Sequence, residues 1–205
     1  MSGALWRGEP LVLASASRAR SAVLEAAGIP VERRPADIDE RAVERPLLAA
    51  GEPAAAIAAH LAAEKALAVS RAMPGRLVLG ADQVLDFGGE RFNKPADRAA
   101  ARAQLRLLSG RRHALHSAAA LAENGAVVET AAQTAVLTMR PLGDAFLDRY
   151  LDAVGEAVTQ SVGAYQIEGL GAQLFEAIDG DHFTVLGLPL LPLLAILRQR
   201  GRLSA

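Results

Sequence analysis

Four short clusters in the 205-residue chain bring together side chains able to do chemistry. In Ser15-Ala16-Ser17-Arg18-Ala19-Arg20, two hydroxyls and an arginine fork stand where a strand is expected to feed the N-terminus of a helix. Free backbone N–H groups and the helix dipole make such a terminus an anion site, and Ser15, Ser17 and Arg20 add matched phosphate donors. The bland reading is a serine N-cap beside a solvated arginine. A Walker loop is excluded, because its glycines and its Lys-Ser/Thr ending are absent. In the second cluster, Glu64-Lys65, the lysine falls on the stripe Ile57, Leu61, Lys65 and Val69, spaced four apart along an expected helix. A solvated lysine belongs on the other face. Either this one snorkels from the edge of a core, or it is aimed into a cleft.

The third cluster, Gly80-Ala81-Asp82-Gln83, places a carboxylate and an amide toward the end of an apolar strand. Ligands of open α/β sheets gather beyond the carboxyl ends of strands, so an acid there needs a reason. A turn-forming aspartate is the bland alternative, but Val84 and Leu85 continue the strand. Asn93-Lys94-Pro95 is expected back in the same neighbourhood through a Gly88-Gly89 hairpin, setting an ammonium near Asp82. The fourth cluster, Ile167-Glu168-Gly169-Leu170-Gly171, puts a carboxylate beside glycines that allow close backbone approach. It fails as a dinucleotide fingerprint, lacking the third glycine and a following helix. His113 and His116 resemble a metal pair, yet an offset of three in a strand turns them to opposite faces. Asp179, Asp181 and His182 read as a turn, and no Gly-x-Ser-x-Gly elbow occurs. Cations suit a triphosphate, while Asp82 with Glu40 suits a divalent metal or a general base. Phosphate ester or anhydride chemistry leads, without a choice of scissile bond.

The elements that must hold these clusters alternate between strand and helix. Strands are expected over residues 10–14, 31–34 and 77–85, with a short return after Gly88-Gly89. A hairpin is expected over 113–122 and 126–139, turned at Asn124-Gly125, and a last strand over 172–178. Helices are expected over 18–27, 53–72, 97–108 and 143–153 and after Pro189, and residues 37–40 read as an acidic loop. The pattern implies an α/β fold: a mixed, twisted sheet with flanking helices, one domain over 1–205 divided into two lobes around a central cleft.

Composition narrows the partners. With 22 basic and 23 acidic side chains the net charge is -1, which argues against nucleic-acid or anionic-membrane partners. The absence of cysteine excludes disulfides, a thiol nucleophile and thiolate metal sites together. The N-terminal run is interrupted by Arg7 and Glu9 and does not read as a signal peptide. The longest apolar stretch, 186–197, is broken by Pro189 and Pro192 and too short to span a bilayer. A soluble protein is expected. Of the 51% hydrophobic residues, 44 are alanine, so leucine, valine and isoleucine must supply the core. Twenty of the basic residues are arginine, and the two lysines are Lys65 and Lys94.

The order of these pieces resembles the Maf family of nucleotide pyrophosphatases. The resemblance rests on Leu13-Ala-Ser-Ala-Ser-x-x-Arg20, Asp37-Ile-Asp-Glu40, Glu64-Lys65-Ala66, Gly80-Ala-Asp82, Lys94-Pro95, Leu108-Ser-Gly-Arg111 and Gly187-Leu-Pro189, from residue 11 to about 197. Each piece is weak and the conjunction is specific. It implies a cytoplasmic, often dimeric enzyme with a deep cleft. Such an enzyme converts a nucleoside triphosphate to the monophosphate and pyrophosphate with a divalent cation such as magnesium, manganese or cobalt, clearing non-standard nucleotides. By the same resemblance Asp82 is the proton acceptor for the attacking water, Ser15, Ser17, Arg20, Lys65 and Lys94 bind phosphate, and Glu40 joins Asp82 on the metal or water. A triphosphate carries close to four negative charges that must be held while pyrophosphate leaves.

Base choice in the family follows three positions, here Ala19, Gln83 and Glu168. Gln83 and Glu168 resemble the branch acting on 7-methyl-GTP. Ala19 matches neither that branch nor the dTTP/UTP branch. A carboxylate at 168 suits the paired N–H donors of a guanine edge. Two alternatives stand beside a modified-purine substrate: a dTTP/UTP preference, or a nucleotide-binding regulator of cell division with little catalysis. Arg18 and Asn93, where the family has proline and glycine, are further departures. In a chain whose cations have drifted to arginine, the surviving lysines mark places where a compact ammonium cannot become a planar fork. That argument favours Lys65 and Lys94 as phosphate-facing.

Overall fold

The computed structural model describes residues 5–204, so the reading of the N-terminus at residues 1–4 lies outside the described residues. Its strands are β1 (Leu11–Leu13), β2 (Val31–Arg33), β3 (Val78–Phe87), β4 (Glu90–Phe92), β5 (Arg112–Glu123), β6 (Ala126–Met139) and β7 (Phe175–Asp179). Its helices are α1 (Arg18–Ala26), α2 (Glu40–Ala49), α3 (Ala54–Ala72), α4 (Arg98–Leu108), α5 (Asp144–Val154), α6 (His182–Val185) and α7 (Leu190–Gln199). The sheet order is β2-β1-β3-β5-β6-β7, with β4 also on β3. β1 pairs in parallel with β2 and β3, while β4 on β3 and β7 on β6 are antiparallel. The mixed α/β class expected from the alternation is the one observed.

Two compact units make up the chain. The first comprises Met1–Gln83, His116–Gln133 and His182–Ala205, and the second Val84–Leu115 and Thr134–Asp181. In the first unit, the period-2 geometry of strands sorts side chains by parity. Leu11, Leu13, Leu79 and Ala81 pack with Val23 and Leu24 of α1 and Leu190, Leu193 and Leu197 of α7. Val12, Ala14 and Val78 pack with Val69 of α3 on the other face. Burying aliphatic side chains at this density stabilises by roughly 25 cal/mol per Å² removed from water. In the second unit the buried residues include Leu85, Phe92, Leu105 and Leu108 of α4, Leu147 and Leu151 of α5, and Tyr165.

Most boundaries fall within two residues of the expected ones, and three differences have physical causes. Residues 40–49 form α2, where an acidic loop followed by unassigned chain was expected. Pro46 lies inside it and reads in sequence as a breaker. The strand expected over 172–178 starts at Phe175, because residues 170–174 coil into a tight 3-10 turn. The turn expected at Asp179 to His182 runs into the four-residue α6, too short to carry a periodic signal. The hairpin turn is as expected: Asn124 and Gly125 have φ of 52° and 75°, the left-handed pair a two-residue type I′ turn needs.

Candidate active site

Gly80 explains how the cluster forms. A Cβ at this position would stand 2.1 Å from the Ala62 carbonyl oxygen and 2.6 Å from the Ala66 nitrogen. Only glycine lets β3 lie this close to α3. Asp82, two residues on and therefore on the same face, meets the helix one position from Ala66. There Lys65 Nζ donates to Asp82 Oδ1 at 2.6 Å. The same ammonium lies 2.9 Å from Glu40 Oε1. Lys65 is 8% and Asp82 7% exposed, whereas the Glu40 side chain is half exposed at the start of α2. Asp39 caps that helix by accepting from the Ala42 amide, which sets Glu40 as the first helical residue. Lys65 on its apolar stripe is thus an ion-paired buried lysine and not a snorkelling one.

The charges act on one another. Burial pushes the Asp82 carboxyl above the usual carboxylate range, against the pull of the Lys65 and Arg20 cations. Burial likewise lowers Arg20, opposed by Asp82 and Glu40, though a guanidinium remains charged. A buried ion pair attracts strongly but carries a desolvation penalty of similar size. Its presence here marks a place where charge was kept at the expense of stability.

At the start of α1, Ser17 is the N-cap, its hydroxyl accepting from the Arg20 amide at 3.3 Å. Ser15 Oγ accepts from the Ser17 amide and from Arg20 Nη1 at 3.0 Å, leaving its own hydrogen free to donate. Arg20 also donates from Nη1 to the Ala81 carbonyl at 2.8 Å and from Nε to the Gly187 carbonyl at 2.8 Å. The anion-site and capping readings of this segment therefore coexist: Ser17 caps, and the Arg20 fork is held with its Nη2 group uncommitted among these bonds. Ala19, one turn position earlier, is half-buried.

Gln83 faces away from Asp82, as strand alternation requires. Its Nε2 donates to Ser117 Oγ at 3.1 Å and to the carbonyls of Thr184 at 2.9 Å and Val185 at 3.1 Å. Two carbonyls that can only accept settle which end of the amide points inward.

A family model described as Maf-like protein matches residues 10–200. The chain belongs to the Maf family. A curated nucleoside triphosphate pyrophosphatase of Rhodopseudomonas palustris (strain BisB18) is 59% identical over 98% of this chain and 98% of its own. A 7-methyl-GTP pyrophosphatase of Rhizobium meliloti (strain 1021) is 51% identical, over 95% of this chain and 98% of its own. A solved structure described as that of a HAM1 protein from Coxiella burnetii covers 64% of this chain and 73% of its own, at 19% identity and a TM-score of 0.43.

Among the site residues expected from sequence, this Maf chain holds Ser15, Ser17, Ala19, Arg20, Glu40, Lys65, Asp82 and Gln83 in the first unit and Lys94 and Glu168 in the second. Lys94 is exposed in the segment after β4, and Glu168 is exposed in a turn. The segment that leads into that turn is anchored by hydrogen bonds at residues 161–165. Tyr165 OH and His113 Nε2 are 2.7 Å apart, Tyr150 OH donates to the Ala164 carbonyl, and Ser161 Oγ donates to the Tyr165 carbonyl. The histidine set aside as a metal ligand is a buried structural partner. Among the described residues no group of three or more His, Cys, Asp or Glu is placed to hold a metal ion.

Sequence reasoning placed Gly80 and Gly187 in motifs without giving them a role, and missed Ser117 and residues 184–186. For Gly80 a signal existed, since an isolated glycine within a strand marks a bulge or a close backbone approach. Nothing local marked Ser117 or Thr184, which lie 34 and 101 residues from Gln83.

Proposed function

We propose that this Maf chain hydrolyses a nucleoside triphosphate to the nucleoside monophosphate and pyrophosphate, with Asp82 accepting the proton of the attacking water. The carrying observation is a buried carboxylate raised above its ordinary range and held 2.6 Å from a lysine. A general base works best when its pKa approaches the working pH, and burial moves Asp82 in that direction. Water oxygen bonds to the α-phosphorus, its proton passes to Asp82, and the bond to the bridging oxygen breaks so that pyrophosphate leaves with the electron pair. Lys65, the Ser15 hydroxyl and the Nη2 group of Arg20 supply donors for the phosphate oxygens as charge shifts toward the leaving group. Ser17 acts in this scheme by capping α1 and aiming its free amides at the anion.

The donor set fits a divalent cation. Asp82 and Glu40 already converge on one cationic atom, the Lys65 ammonium, and two carboxylates completed by phosphate oxygens and water is the coordination magnesium prefers. Bound there, magnesium, manganese or cobalt would neutralise phosphate charge. Base choice is read from Glu168, whose carboxylate can accept from the N–H edge of a guanine. The full-length relative named 7-methyl-GTP pyrophosphatase favours that reading. No helix among the described residues is long and apolar enough to cross a membrane. A cytoplasmic homodimer remains part of the proposal.

The test is pyrophosphate release from UTP, dTTP, CTP, GTP and 7-methyl-GTP with each of the three metals. Release with a purine preference that Glu168→Gln weakens is expected. No release from any nucleotide would end the enzyme reading, and an unchanged ranking in Glu168→Gln would end the base assignment.

A further inference from the structure

The two carboxylates proposed to hold a divalent cation already share a cation of the chain's own. Lys65 Nζ lies 2.6 Å from Asp82 Oδ1 and 2.9 Å from Glu40 Oε1. Lys65 and Asp82 are both buried. Arg20 stands near enough for its charge to act on both carboxylates. Two cations therefore face two anions, and the cluster is neutral as it stands. A doubly charged ion added to a neutral, largely buried cluster leaves its charge uncompensated, which burial makes costly. Repulsion from an ammonium on the same carboxylates adds to that cost. A triphosphate reverses the sign, because it brings close to four negative charges, more than one divalent ion cancels.

We propose that Lys65 holds the cation position of the nucleotide-free protein, so that a divalent metal enters only with the triphosphate, whose oxygens draw the ammonium from the carboxylates. Lysine carries three donors on a flexible stem. With two directed at Asp82 and Glu40, the third can take a phosphate oxygen before the others let go. Glu40, the outer partner, stands at the start of α2, a helix with no buried residue, so its carboxylate can turn without repacking a core. Asp82, the inner partner, stays in β3, held close to α3 across Gly80. The inference rests on the reading of Asp82 and Glu40 as metal ligands and of a triphosphate as substrate.

The test is manganese binding to the protein without nucleotide, followed by the paramagnetic resonance of the free ion. Lys65→Met keeps the length of the side chain and removes its charge. It should bind one manganese at least about a hundredfold more tightly than wild type. Lys65→Arg, which keeps the charge, should bind as weakly as wild type. Adding Asp82→Asn to Lys65→Met should abolish the gain and so place the ion on this pair. Equal affinity in wild type and Lys65→Met overturns the proposal, as does a gain that survives Asp82→Asn.

Lys65→Met leaves two carboxylates without their ammonium, so its fold is followed by thermal denaturation. Manganese should raise its melting temperature and leave that of wild type unchanged, because an ion bound only by the folded state stabilises it. In wild type, the α,β-methylene analogue of UTP or GTP should bring manganese onto the protein, read from the enhanced relaxation of water protons. Manganese held by wild type equally well with and without both analogues overturns the proposal. Hydrolysis by wild type with no gain in Lys65→Met would remove the exchange and keep the enzyme reading. A gain without hydrolysis of any nucleotide would remove the enzyme reading and leave Lys65 as the resident cation.

Discussion

The two units bury polar groups in different ways. The first holds charge: Lys65 and Asp82 lie inside it, joined to the half-exposed Glu40. The second holds neutral groups in its interior, namely His113, Tyr150 and Tyr165. Its ion pairs, Arg102 with Asp144 and Asp148 and Arg98 with Asp152, stay near the surface between α4 and α5. A buried charge must be paired or it is very costly, so a fold concerned only with stability keeps its charges outside, as the second unit does. The first unit departs from that economy where phosphate chemistry is expected.

The contrast can be broken most severely at Asp82. Asp82→Asn should lower turnover by about 10²- to 10⁴-fold, the usual worth of a general base, while calorimetry shows nucleotide binding nearly unchanged. A variant that still turns over removes Asp82 from the reaction. In the wild type the acid limb of activity should lie above the ordinary aspartate range, because burial raises the carboxyl and only the ionised form accepts a proton.

Gly80→Ala attacks the same pair from the packing side. Its Cβ would enter the backbone of α3, so chemical denaturation should show a loss of about 3 kcal/mol, the upper range for overpacking. A variant of wild-type stability would mean that the strand is not held against the helix. Lys65→Arg retains charge but replaces a compact ammonium with a planar fork, in a space bounded by two carboxylates. Activity should fall at least about tenfold, whereas wild-type turnover would reduce the lysine to a consequence of composition.

The second unit offers a pH test with a definite sign. Burial lowers His113 from 6.5 to about 4, so between these values the unfolded chain binds a proton that the folded chain refuses. Stability is present above 6.5 and falls as the pH drops, by about 2 kcal/mol between roughly pH 7 and pH 5. His113→Gln should flatten that slope in denaturation at the two pH values. An unaltered slope would assign it elsewhere. The smallest effect is expected at the exposed zipper: Arg102→Met should leave the melting temperature almost unchanged, since surface ion pairs contribute little. A large drop there would erase the distinction between the units.

Much of this was legible in the residues themselves. The repeat of four that carries Ile57, Leu61, Lys65 and Val69 marked Lys65 as out of place on a buried face, and all four are buried. Asp82 stood out because it interrupts an apolar strand. The Asn124-Gly125 turn is local chemistry, determined within a few residues. Less was legible at residues 182–187, where a helix of four residues has no period to read, and at Pro46, whose helix contradicts the usual meaning of proline.

The sequence by itself determined the order of the strands and of the helices other than α2 and α6, and the residue types available for phosphate chemistry, because periodicity and turns depend on near neighbours. Only the tertiary structure decided that Lys65 meets Asp82 across the gap left by Gly80, and that the Gln83 amide turns inward to α6 instead of outward. Those contacts join residues 17, 101 and 102 positions apart. Their geometry follows from how closely two elements pack, a quantity that no local pattern of side chains contains.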